Sequence, residues 1–123
     1  MITKNEIKFV RSLRIKKNRI KSDQFIVEGE KIVDELINSS LELVRVYSTS
    51  SKYESLGELY TKISKANLLQ ISNLTTPNKV VAIFRIPKPD KIDFTSQIIA
   101  LDNISDPGNL GTIIRLCDWF NIK

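Results

Sequence analysis

Ile98-Ile99-Ala100-Leu101, followed by Asp106-Pro107-Gly108-Asn109-Leu110-Gly111-Thr112-Ile113-Ile114-Arg115, is the stretch on which the fold reading turns. An apolar run that feeds a Pro/Gly/Asn turn into a helix is how open α/β sheets build ligand sites at strand ends. The spacing predicts a strand over 97–103 and a helix from about residue 109, with Asn109 as its N-cap. Leu110, Ile114 and Cys117 share one face of that helix as a core stripe, and Gly111, Arg115 and Asp118 share another. Two readings of the polar side stay open. Either Asn109 caps a helix whose Arg115 pairs with Asp118 on the surface, or Arg115 swings past Gly111 toward the strand end and serves a site. A phosphate loop is excluded, because no Lys-Ser/Thr follows Gly111. A parallel sheet needs several strands and crossovers. The sequence therefore reads as a small N-terminal domain plus the beginning of a second.

Upstream, Pro87-Lys88-Pro89-Asp90 reads as a linker, since two prolines around a lysine favour extended chain. The domain boundary falls near residues 87–96, giving domains at 1–90 and 97–123. Within the first, periodicity predicts a helix over 4–19 and a strand over 25–27 closed by Glu28-Gly29. A second helix carries Ile32, Val33, Leu36 and Ile37, and a strand follows over 41–47. A helix over 52–65 would place Leu56, Leu59, Tyr60 and Ile63 on one face. Short strands are expected over 68–71 and 80–86, with a turn over 74–78 between them. This alternation implies an α/β fold with helices packed on a sheet.

The net charge of +5 is unevenly placed. Residues 1–21 carry Lys4, Lys8, Arg11, Arg14, Lys16, Lys17, Arg19 and Lys21 against Glu6 alone, and the rest of the chain is slightly acidic. Such a segment is either the electrostatic footprint of a polyanion partner or a solvated helix face. Histidine is absent and Cys117 is the single cysteine. That removes disulfides, His-based triads and zinc sites, so no metal is expected. No apolar run approaches a membrane span, and no signal sequence opens the chain, which points to the cytoplasm.

Asp102-Asn103-Ile104-Ser105-Asp106-Pro107-Gly108-Asn109-Leu110-Gly111-Thr112-Ile113-Ile114-Arg115 resembles the first motif of the SpoU (TrmH-type) RNA ribose 2′-O-methyltransferases of the SPOUT superfamily. Three further stretches resemble that family in order. They are the basic helix Leu13–Arg19, the strand-turn-helix Phe25-Ile26-Val27-Glu28-Gly29-Glu30-Lys31, and the closing strand Thr76-Pro77-Asn78-Lys79-Val80-Val81-Ala82. The resemblance implies a small three-layer α/β/α RNA-binding domain, like that of kink-turn-binding ribosomal proteins. After it would come the first β-α unit of an α/β-knot methyltransferase domain.

It also implies S-adenosylmethionine as cofactor, an RNA partner (rRNA or tRNA) and a homodimer for the full-length protein. Asn109 and Arg115 fall on the family's motif residues as catalytic candidates. There a ribose 2′-hydroxyl attacks the cofactor's methyl group, and Arg115 would orient and polarise that hydroxyl. Lys8, Arg11, Arg14, Lys16, Lys17 and Arg19 become RNA-binding candidates. Glu28 joins them, although a carboxylate at a helix N-terminus also has a purely structural reading. The family's second and third motifs do not occur in the sequence, so no cofactor-binding residue is expected here. A stand-alone RNA-binding module and an ordinary α/β domain with an incidental basic helix remain the competing readings.

Overall fold

The computed structural model describes residues 1–89 and 91–122. The chain divides into two compact units, Met1–Lys88 and Pro89–Lys123. The first unit runs α1 (Lys4–Ser12), α2 (Lys16–Ser22), β1 (Gln24–Glu28), α3 (Glu30–Ile37), β2 (Leu43–Ser48), a 3₁₀ segment (Ser51–Leu59), β3 (Tyr60–Lys62), α4 (Lys65–Ile71) and β4 (Val80–Arg85). Its strands form one sheet in the order β1-β4-β2-β3. β4 is antiparallel to both β1 and β2, while β2 and β3 are parallel.

β4 is central and covered on both sides, which is why Val80-Val81-Ala82-Ile83-Phe84 is apolar without alternation. Its residues divide by face. Val80, Ala82 and Phe84 join Val27, Val33, Val46 and Tyr53 in one buried cluster, beneath α3 and the 3₁₀ segment. Val81 and Ile83 join Val10, Leu13, Tyr47, Leu68 and Ile71 in another, beneath α1 and α4. The helices thus pack on both faces of the sheet.

In this first unit three elements differ from the sequence reading. The basic helix predicted over 4–19 is two helices with an elbow at Leu13–Ile15. Ser12 Oγ bonds the Phe9 carbonyl at 2.7 Å, and Asn18 Nδ2 bonds the Ser12 carbonyl at 3.0 Å. Arg19 Nη1 donates to the carbonyls of Leu13 and Arg14 at 3.0 and 2.8 Å. Side chains take up the carbonyls that a continuous helix would use. The elbow sends Leu13 into the core.

The helix predicted over 52–65 is a 3₁₀ segment and then β3. Gly57 breaks it at φ 57° and ψ −122°, a backbone state that glycine tolerates. Leu56 and Tyr60 pack on one side of the sheet and Ile63 on the other, so they never shared a helical face. The strand predicted over 68–71 is α4. Ser64 Oγ caps it by accepting from Asn67 N at 3.1 Å. Leu68 and Ile71 are buried at i, i+3 while Leu69 is exposed.

In the second unit, α5 (Pro107–Trp119) is the one helix among the described residues. Its N-cap is Asp106, not Asn109: the Asp106 carboxylate accepts from Asn109 N at 2.7 Å, and Pro107 takes the first helical position. Residues 97–103 form no strand, because no neighbouring strand among the described residues of this unit pairs with them. The expected core stripe is open as well. Leu110 and Ile114 are exposed and Cys117 is half-buried.

Candidate nucleic-acid interface

The cations of the N-terminal segment separate into two groups. Arg14 Nη2 bonds the Ser72 carbonyl at 2.6 Å, reaching the C-terminal end of α4, and Arg19 holds the elbow. Both guanidinia are anchored to backbone. Lys8 and Arg11 on α1, and Lys16 and Lys17 on α2, are exposed and form no hydrogen bond or ion pair among the described residues. Ile15 and Ile20 stand exposed beside them. The elbow therefore presents a cationic surface on a fixed frame.

Glu28 faces inward along this frame. Its carboxylate accepts from the Ser72 hydroxyl and from Asn73 N, the latter at 2.7 Å, and Ser72 Oγ in turn accepts from Leu74 N at 3.1 Å. Glu28 thus fixes the 72–74 loop. Sequence reasoning missed Ser72 and Asn73, although Ser-Asn directly after an apolar helical run is a helix-end signal. Gly29, at φ 107°, turns the chain from β1 into α3, as the Glu28-Gly29 reading expected. Beside it Lys79 pairs with Glu30 at 3.6 Å.

Two further clusters brace the frame. Glu6 and Thr3 close a capping box on α1, and Tyr47 donates from the sheet to Glu6 Oε1 at 3.2 Å. The Thr3 bonds hold the Glu6 carboxyl below the ordinary carboxylate range, while burial, reinforced by Glu6, pushes the Tyr47 phenol up. On the opposite face Asp34 binds both Lys52 and Tyr53, and the Lys52 bond holds its carboxyl low.

In the second unit Arg115 is exposed, and its nearest polar partner is Thr112 Oγ1 at 3.5 Å. It forms no ion pair with Asp118 among the described residues. Asn109 lies six residues, about one and two-thirds turns, earlier on α5, also exposed.

A model of the MRM3-like substrate binding domain matches residues 4–82. The chain belongs to that family. The rRNA methyltransferase RlmP of Bacillus subtilis, which methylates a guanosine 2′-O in 23S rRNA by its name, is 30% identical over 118 residues, covering 92% of this chain and 47% of that protein. A TrmH-family protein from Porphyromonas gingivalis superposes with a TM-score of 0.80 at 31% identity, over 100% of this chain and 51% of that one. An AdoMet-bound rRNA methyltransferase from Sinorhizobium meliloti shares the fold at a TM-score of 0.67 and 24% identity, over 96% and 49%. The chain spans about half the length of these relatives. The SpoU/TrmH resemblance of the four sequence stretches agrees with these matches. No helix among the described residues is long and apolar enough to cross a membrane.

Proposed function

We propose that this chain supplies the RNA-binding part of an rRNA 2′-O-ribose methyltransferase that uses S-adenosylmethionine and acts as a homodimer in the cytoplasm. The Met1–Lys88 unit is then the three-layer α/β/α substrate domain, and 97–123 opens the methyltransferase domain. The observation that carries the reading is the elbow: Lys8, Arg11, Lys16 and Lys17 are exposed and unpaired among the described residues, on a frame anchored by Arg14, Arg19 and Glu28. Free cations on a rigid support attract a phosphate backbone and release its counterions on binding.

The described residues of the second unit do not fit a cofactor pocket. Every one of them is exposed or half-buried, and the cleft bounded by Ile92, Ile98, Ile99 and Ile122 has no buried wall. What this chain offers to the reaction is Arg115. A guanidinium is a planar fork of five donors, and its role is to orient the ribose hydroxyl and stabilise charge developing there. Asn109 sits at the mouth of the same helix, within the first turn that Asp106 caps.

The testing measurement is RNA affinity of the chain as a function of salt. Binding to structured rRNA should weaken steeply as salt rises, and each alanine substitution at Lys8, Arg11, Lys16 or Lys17 should lower the logarithmic salt slope by about one contact. Salt-independent or absent binding overturns the reading. In a full-length methyltransferase carrying this sequence, Arg115→Ala should cut turnover by about 100-fold with folding intact.

A further inference from the structure

We propose that the cleft between the elbow, β1 and the 72–74 loop receives one unstacked nucleotide of the RNA, a proposal that rests on the RNA-binding reading above. The cleft has a volume of about 350 Å³ and is lined by Leu13, Arg14, Arg19, Phe25, Ile26 and Asn73. Small-molecule pockets start at roughly 300 Å³ and combine apolar walls with a few fixed polar groups. This one has that division: Ile26, half-buried on the sheet face that the elbow covers, supplies apolar wall over the buried Leu13, and Arg14, Arg19 and Asn73 supply the polar rim. A nucleobase has the complementary form, a flat apolar face with a hydrogen-bonding edge.

The polar groups are preorganised. Arg14 is tethered to the Ser72 carbonyl and Arg19 to the carbonyls of Leu13 and Arg14. A guanidinium carries five donors, so both retain N–H groups for a ligand at little further ordering cost. Asn73 is held through its backbone N–H by Glu28 at 2.7 Å, while its side-chain amide has no partner among the described residues. An amide donates and accepts together, as the edge of a base requires. Glu28 acts through Asn73 and is a positioning residue. Lys16 and Lys17 lie exposed on the same elbow and suit the flanking phosphates. A base held in a duplex cannot enter, so the cleft selects single-stranded or looped RNA.

The test uses the 123-residue chain with a short single-stranded RNA of mixed sequence carrying one central 2-aminopurine, its fully paired duplex, adenosine monophosphate and inorganic phosphate. Asn73→Trp closes the mouth from an exposed loop and Asn73→Ala removes the amide, and both leave the backbone bond to Glu28 in place. The single strand should bind with a change in 2-aminopurine emission. Asn73→Trp should weaken that binding by about tenfold, the scale of one lost base contact, with duplex binding and thermal stability unchanged. Asn73→Ala should alter the preference among the four bases at the central position.

Wild-type affinity and base preference in both variants, with salt-dependent binding retained, overturns the cleft and leaves the RNA-binding reading standing. Displacement of the strand by inorganic phosphate as readily as by adenosine monophosphate reduces the cleft to an anion site and overturns the proposal too. Absence of salt-dependent affinity for any RNA overturns both readings.

Discussion

The two units handle their apolar residues in opposite ways. In Met1–Lys88, helices cover both faces of a four-stranded sheet, and residues such as Val10, Val33, Val46 and Phe84 have no measurable exposure. In the second unit no described residue is buried, and Phe94, Trp119 and Phe120 are 80%, 83% and 68% exposed. Apolar content alone does not decide the outcome, since Ile98-Ile99-Ala100-Leu101 is as apolar as Phe25-Ile26-Val27. A strand needs a neighbour for its backbone groups and a layer for its side chains. β1 has β4 beside it and α3 above; residues 97–103 have no paired strand and no covering layer among the described residues of their own unit. The first unit is therefore held by tertiary packing, and α5 by local interactions at its ends.

This contrast can be broken experimentally. The largest effect is expected at Phe84→Ala, which empties a central-strand position stacked on Phe25 at 6.1 Å between ring centroids. It should cost about 3–5 kcal/mol in urea unfolding of the first unit. The helical signal of α5 should be unmoved; a joint loss would show that the two units share their stability.

Glu28→Ala comes next. It leaves the Asn73 backbone N–H and the Ser72 hydroxyl short of an acceptor, and about 2 kcal/mol should be lost, with faster hydrogen exchange at Asn73 and Leu74. Unchanged exchange there would mean that the carboxylate is not what fixes the loop. Asp106→Ala reverses the site of damage. It should weaken α5 by about 1 kcal/mol, visible as reduced helicity, while the melting of the first unit stays put.

The smallest effect is Glu6→Gln, which keeps a hydrogen-bonding cap but removes the charge. Because the folded state holds the Glu6 carboxyl below its ordinary value of 4.5, ionised Glu6 contributes stability above that value and loses it as pH falls through the folded one. The gap in melting temperature between wild type and variant should be steady at neutral pH and close in the acid range. A gap that widened on acidification would contradict the assignment.

How far the sequence reveals this molecule depends on what its periodicity measures. β4, α3 and the Gly29 turn were legible, because their apolar spacing and glycine follow from local geometry. The elbow was not, because Arg19 and Asn18 reach back to carbonyls of the preceding helix, and a helical repeat reads across that break. β3 was hidden for a different reason. Three residues pairing Val46–Ser48 with Tyr60–Lys62 carry too short a pattern to compete with a helical repeat in the same stretch. At the candidate site, the cationic character of residues 1–21 was visible in composition. Its division into anchored Arg14 and Arg19 and free Lys8, Arg11, Lys16 and Lys17 was not, because that depends on Ser72, 58 positions beyond Arg14, and on carbonyls at the elbow. Glu28 stands out by family resemblance alone, and the structure ties it to the 72–74 loop.

The order of the strands has a consequence for synthesis. β4 is the last strand of its unit to be made, yet it lies between β1 and β2 and joins them. Until residue 85 is available the sheet cannot close, and such long-range pairing is the slow part of folding. The positively charged leading segment therefore emerges from the ribosome well before the sheet that will give it a shape, and charge precedes selectivity during the birth of the chain.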